Sequence, residues 1–326
     1  MSFSRVGFVL IALRFAPLLL FALLVVAFGM GSDRFLSVAN LLNIVTQAAS
    51  VAVMAIGMTF VLLVRGVDLS VGSTMYLVVV ILGLYLSDFS LALSIPAIML
   101  IGLAFGAINA WFITYLRLAA FITTLATLFV GRGLALQISE TKMVFQSDTV
   151  QTLGRSSALG APWAIWILAI VAATAWVILT QTPYGRQIYA VGADPDAAAK
   201  AGIRVRPIVF SVFCICGVCA AIGGLISVSQ AGAAAATFGF QKEFPVIAAA
   251  VLGGTSLFGG RGGVLGSIFG AVLVQTTENG LVMLNADPYL YPLVNSAIIF
   301  IAAWVDGQRT TITERLEQRK IRIEPG

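Results

Sequence analysis

The apolar positions of this chain come in long unbroken runs, not in the narrow stripes of a soluble fold. A helix needs about 20 apolar residues to cross a bilayer. Runs of that kind lie near 6–30, 41–64, 69–86, 91–116, 119–138, 161–180, 208–230, 264–284 and 289–305, with a shorter one at 244–258. The expected fold is all-α: a polytopic membrane helix bundle of about ten transmembrane helices, including a short or re-entrant one. The short run leads into Gly253-Gly254, Gly259-Gly260 and Gly262-Gly263. Irregular backbone at membrane depth survives only when buried in protein or lining a cavity, so this stretch is expected to face the bundle interior. Residues 1–306 then form one membrane domain with a cytoplasmic loop at 181–207, and 307–326 form a charged cytoplasmic tail.

Composition agrees. Apolar residues make up 60% of the chain and charged residues 10%, against roughly 25% charged in a soluble domain. With an inside N-terminus and alternating spans, thirteen Lys and Arg fall inside and four (Arg34, Lys142, Arg155, Lys242) outside. Excess basic residues mark the cytoplasmic side, so both termini are expected in the cytoplasm. There is no histidine, which removes the commonest general base and metal ligand. Cys214, Cys216 and Cys219 sit in an apolar run with no polar partner, and read as packing residues of a helix. No lysine follows a glycine, so a phosphate-cradling G-x-x-x-x-G-K loop is absent and any ATP must be bound by another subunit. No cofactor, metal or nucleic acid enters this reading.

Candidate chemistry at membrane depth is mostly uncharged. Asn43, Thr46, Gln47 and Ser50 share one face of the second span, Asn109 lies in the fourth, and Thr123, Thr124 and Thr127 lie in the fifth. Amides and hydroxyls suit a ligand rich in hydroxyls; they also serve as hydrogen-bonded glue between helices. Glu278 and Asn279 lie in the ninth span, with Glu278 either part of the pathway or paired near the outer mouth with Arg132 or water. Arg65 and Asp68 are expected to pair locally across the turn after the second span.

The loop T-P-Y-G-R-Q-I-Y-A-V-G-A-D-P-D-A-A-A-K-A-G carries local structure signals. Asp194 is placed to cap a helix with Pro195 at its first position, and Gly202 to end it. A short helix over 195–201 is expected on the cytoplasmic side, small and exposed enough to dock in a partner's groove.

This loop resembles the coupling region of sugar-importer permeases of the ribose, xylose and autoinducer-2 group, membrane subunits of ATP-binding-cassette importers. The resemblance extends through N-I-V-T-Q-A-A-S at Asn43–Ser50, G-M-T-F-V at Gly57–Val61, V-D-L-S-V-G-S at Val67–Ser73, F-I-T-T-L at Phe121–Leu125 and the glycine-rich stretch 247–262. It covers roughly residues 40–305. Arg65-Gly66, Ala119-Ala120 and Glu243-Phe244-Pro245 depart from the family's paired glycines, paired prolines and acidic E-L-D. The resemblance implies a transport subunit without catalytic residues. Its expected partners are cytoplasmic ATP-binding subunits, a periplasmic sugar-binding protein, a second permease copy and the lipid bilayer. Coupling to the ATPase would fall to Tyr184, Gly185, Arg186, Gly192, Asp194, Pro195, Ala198 and Gly202. The turns would rest on Asp68, Ser70, Gly72, Gly253, Gly254, Gly259 and Gly260. Branched-chain amino-acid or nucleoside import, and an ion-coupled carrier, remain open alternatives at this point.

Overall fold

The computed structural model describes residues 3–287, 289–298, 300, 301 and 304, with side chains from residue 17 onward. The tail expected at 307–326 lies outside the described residues. The helices, in order, are α1 (Phe3–Gly31), α2 (Val38–Leu63), α3 (Val71–Tyr85), α4 (Leu91–Thr114), α5 (Ala120–Ile138), α6 (Asp148–Arg155), α7 (Trp163–Gln181), α8 (Pro183–Ala193), α9 (Pro195–Lys200), α10 (Val205–Ala231), α11 (Glu243–Leu252) and α12 (Val264–Met283). Residues 290–298 are helical as well. Two minimal antiparallel pairs complete the fold: β1 (Val144–Phe145) with β4 (Ala233–Ala234), and β2 (Ser157–Ala158) with β3 (Ala161–Pro162).

Among the described residues, five helices, α2, α4, α5, α7 and α10, are long and apolar enough to cross a membrane. On α4, α5 and α7, large apolar side chains such as Leu100, Phe129 and Ile170 point outward. A helix apolar all round that is not enclosed by protein needs lipid as its solvent. The chain is an all-α membrane protein.

Two compact units emerge: residues up to Asn40 together with those from Thr276 onward, and residues Leu41–Gln275. In the first, Phe28 and Phe35 pack with ring centroids 5.5 Å apart and Gly280 lies against the Phe28 ring. The second is built around α2, which is buried on every side from Ala48 to Leu63, and α3, buried from Val71 to Val80. Around them α10 and α4 pack backbone to backbone: a Cβ placed on Gly102 would fall 2.3 Å from the Gly217 carbonyl oxygen. Small residues permit this closeness where lipid offers no hydrophobic drive for helix pairing. Cys216 and Cys219 are buried in the same region, against Gly57.

Two of the apolar helices, α3 and α11, are too short to span. The ten residues of α11 reach about 15 Å, half of a ~30 Å hydrocarbon core. The fifteen of α3 reach about 22 Å. The run read at 244–258 is thus a short helix followed by irregular backbone, in which Gly254, Gly259 and Gly260 take positive φ. The loop read as carrying one short helix carries two, α8 and α9.

Candidate functional site

The loop between α7 and α10 is built from local caps. Thr182 precedes Pro183 and its Oγ1 accepts from the buried Gly185 N–H at 3.1 Å, starting α8. Tyr184 pins α8 to α10 through Ser211 Oγ at 2.5 Å, and Tyr189 donates to the Gly262 carbonyl at 2.9 Å. Arg186 is exposed. Asp194 ends α8 and starts α9: its carboxylate accepts from the N–H groups of Asp196 and Ala197 at 2.9 and 3.0 Å. The Ala197 N–H, more than any other neighbour, holds that carboxyl below the usual carboxylate range. Pro195 takes the first turn, and the positive φ of Gly202 breaks the helix one residue after Ala201. Within α9 only Ala198 is buried; Asp196, Ala197, Ala199 and Lys200 face outward.

This loop is anchored to α2. Arg65 donates from Nε to the Gly192 carbonyl at 2.8 Å and from its terminal nitrogen to the Ala193 carbonyl. The Gly260 N–H donates to the Leu63 carbonyl at 2.9 Å. Gly192 lies over the same carbonyl so tightly that a Cβ there would sit 1.7 Å from the Leu63 oxygen. The ends of α2 and α8 and the turn at Gly259-Gly260 therefore converge at one point. Distant predicted residues Gly192, Gly259 and Gly260 meet here, with Arg65 added by the structure.

The expected Arg65–Asp68 pair does not form. Arg65, at φ 64°, sits exposed on the turn and reaches α8, whereas Asp68 is 1% exposed and turns inward. Asp68 accepts from Ser70 N at 2.9 Å and Ser70 Oγ at 2.6 Å. Asn109 Nδ2 donates to Ser70 Oγ at 2.8 Å, and Thr127 Oγ1 donates to Asn109 Oδ1 at 2.6 Å. This buried relay joins the α2–α3 turn to α4 and α5. Thr124 donates to the carbonyls of Val67 and Ala120, at 3.2 and 2.8 Å. The hydroxyl of buried Thr123 has no partner.

The polar face of α2 divides. Ser50 is buried and donates to the Gly223 carbonyl at 2.8 Å, and Thr46 donates to Leu42 of its own helix. Asn43 and Gln47 stay exposed. Gln47 Nε2 donates to Asn43 Oδ1 and Gln275 Nε2 donates to Gln47 Oε1, both at 3.0 Å, forming a ladder of amides. Glu278 and Asn279 belong to the other unit. There Asn279 and Asn40 exchange two hydrogen bonds, and Asn295 Nδ2 donates to Glu278 Oε1 at 3.1 Å.

Sequence reading missed the polar surroundings of the α3 start, where Glu243 is buried and Arg132 half-buried. Glu243, 7% exposed, opens α11 and faces the start of α3: a Cβ on Gly72 would lie 2.8 Å from Glu243 Oε2 and 2.5 Å from the Gly239 oxygen. Arg132 donates to the Phe238 carbonyl at 2.7 Å, with its guanidinium 4.9 Å from the Tyr76 ring centre. The only sequence hint was a carboxylate heading a glycine-flanked apolar run. Short helices whose N-termini open inside a bundle are a common way to build a polar site at membrane depth.

A family model described as the branched-chain amino acid transport system permease component matches residues 40–303. The ribose import permease protein RbsC of Haemophilus influenzae is 37% identical over 291 residues, covering 87% of this chain and 90% of that protein. The D-allose transport system permease protein AlsC of Escherichia coli is 34% identical, over 90% of this chain and 91% of its own length. The autoinducer 2 import system permease protein LsrC of Photorhabdus laumondii is 34% identical, over 94% of this chain and 91% of its own. No solved structure matches the chain.

Proposed function

This chain belongs to the family of branched-chain amino acid transport system permease components, and on that premise we propose that it is the membrane-spanning permease of an ATP-driven sugar importer. The relatives named for ribose, D-allose and autoinducer 2 favour a sugar or similar polyol over an amino acid. The chain itself carries no catalysis. ATP is hydrolysed on separate cytoplasmic subunits, a periplasmic binding protein delivers the sugar, and two permease copies enclose the path. The chain crosses the bilayer about ten times, with both termini in the cytoplasm.

One observation carries the mechanism: α9 is an exposed, capped helix hung on the end of α2 through Gly192 and Arg65. Closure of the ATP-binding subunits moves α9, and the Leu63 junction passes that motion to the most buried helix of the larger unit. The exposed amides Asn43, Gln47 and Gln275 meet the sugar's hydroxyls. The Asp68–Ser70–Asn109–Thr127 relay and the glycine turns keep the irregular segments in register.

The test is Ala198→Pro, assayed with the assembled importer. Uptake should fall to background while the protein reaches the membrane at a normal level. Uptake at the original rate would sink the coupling role, and sugar transport by the chain alone without ATP would sink the importer reading.

A further inference from the structure

We propose that the cleft between the ends of α2, α4 and α10 binds the phosphate headgroup of an anionic phospholipid. The cleft encloses about 390 Å3. Three arginines line it, Arg65, Arg117 and Arg206, together with the hydroxyl-bearing Thr114 and the apolar side chains of Val209 and Phe213; the Arg65 head group bonds to the end of α8, and Arg117 and Arg206 are exposed. No carboxylate lines the cleft, so Arg117 and Arg206 meet no counter-charge among its lining residues, whereas Arg65 also lies within the field of Asp194. Planar guanidinium groups match phosphate oxygens two at a time, which makes a phosphate the natural complement.

Arg65 and Arg117 stand on the two turns that follow α2 and α4, and both hold positive φ, at 64° and 56°. Non-glycine residues rarely adopt that backbone, and such strain concentrates at ligand-holding positions. Arg65 spends its fork on Gly192 and Ala193 and brings only its charge to the cleft, which leaves Arg117 and Arg206 to meet the phosphate oxygens.

The surroundings separate a lipid from a soluble anion. Next to Arg117, the end of α4 exposes Trp111 (46%) and Tyr115 (60%), with exposed Leu116 and Leu118 beside them. Exposed tryptophan and tyrosine at the end of an apolar helix mark the headgroup level of a bilayer. A cationic cleft at that level, floored by Val209 and Phe213, offers the headgroup its charge partner and the start of the acyl chains an apolar wall. The inner leaflet as its location rests on the importer reading above. The binding itself does not.

The experiment uses the purified full chain in detergent and counts retained lipids by native mass spectrometry during titration. Phosphatidylglycerol should bind more tightly than phosphatidylcholine, and Arg117→Gln with Arg206→Gln should weaken it by about ten-fold or more. The Lys versions of both changes should keep part of the preference, and Arg34→Gln, far along the chain on the α1–α2 turn, should keep all of it. Equal phosphatidylglycerol binding by the Gln double variant, when it elutes as a single species like the parent, overturns the proposal. Inorganic phosphate binding as tightly as the lipid overturns it in favour of a free-phosphate site. Loss of ATP-binding-subunit association with lipid binding intact overturns it in favour of a protein-docking surface. Sugar uptake is scored separately, so failure of lipid selectivity and failure of the importer reading are told apart.

Discussion

Arg65 Nε and the Gly192 carbonyl lie 2.8 Å apart, a hydrogen bond that joins residues 127 positions apart in sequence. It is charge-assisted, and a second bond from the same guanidinium to Ala193 makes the contact a fork. Lysine keeps the charge and loses the fork. Arg65→Lys is therefore expected to lower uptake several-fold with normal membrane levels, measured by transport of labelled sugar beside an immunoblot. Unchanged uptake would remove Arg65 from the junction's function.

Gly192→Ala should be far more severe. The new Cβ would sit 1.7 Å from the Leu63 oxygen and 2.7 Å from the Gly260 nitrogen, all of it backbone that has no rotamer to escape into. Overpacking costs about 1–3 kcal/mol, occasionally more, and a clash confined to backbone sits at the upper end. Thermal unfolding in detergent should show a clear drop in midpoint, with uptake lost. A wild-type midpoint would mean that the junction yields easily.

Asp194→Ala should impair coupling where Asp194→Asn does not, because asparagine caps a helix about as well as aspartate. The carboxyl's lowered pKa sets a sign for pH. A group depressed on folding adds stability that is complete above its unfolded value of about 3.9 and is lost as pH falls through its lower folded value. Neutral pH thus leaves the cap intact. Coupling of ATP hydrolysis to uptake should show no pH dependence from Asp194 between pH 6 and 8, and a sigmoidal loss there that disappears in Asp194→Asn would contradict the cap assignment.

Asn109→Leu would remove two buried hydrogen bonds, leaving Ser70 Oγ its bond to Asp68 and Thr127 Oγ1 its bond to the Thr124 carbonyl. Each lost bond costs about 0.5–1.5 kcal/mol. The expected result is a lower melting midpoint with the apparent KM for sugar unchanged. A KM increase at normal stability would instead place Asn109 in contact with the sugar.

Gln47→Leu and Gln275→Leu probe the opposite case. Both amides lie in the exposed ladder, so their loss should leave stability within about 0.5 kcal/mol. Uptake is expected to fall several-fold through a higher KM. Equal KM values for parent and variants would exclude the ladder from the sugar's path.

Features encoded locally were legible before the structure. The apolar runs at 41–64, 91–116, 119–138, 161–180 and 208–230 matched membrane-length helices because length is a property of a single segment, and α9 was readable from Asp194, Pro195 and Gly202 because capping involves neighbours in sequence. The Thr182-Pro183 start of α8 carries an equally local signal that went unused. Contacts made over long sequence separations were not legible. Nothing near Arg65 points to Gly192, and the pairing of Val144 with Ala234 leaves no mark on either stretch. Glu243 was named only as part of a departure from the family's acidic motif, because only the fold brings Gly72 to it. The Arg65–Asp68 expectation failed because Arg65 found Gly192 and Ala193 far along the chain, while Asp68 turned inward onto Ser70, two residues on.

The crowding at the Leu63 carbonyl has a mechanical meaning. Its three neighbours touch through peptide groups, and peptide groups do not bend or rotate out of the way as long side chains do. A linkage made of such parts lacks the slack of long side chains, so only backbone rotation is left to absorb a displacement there.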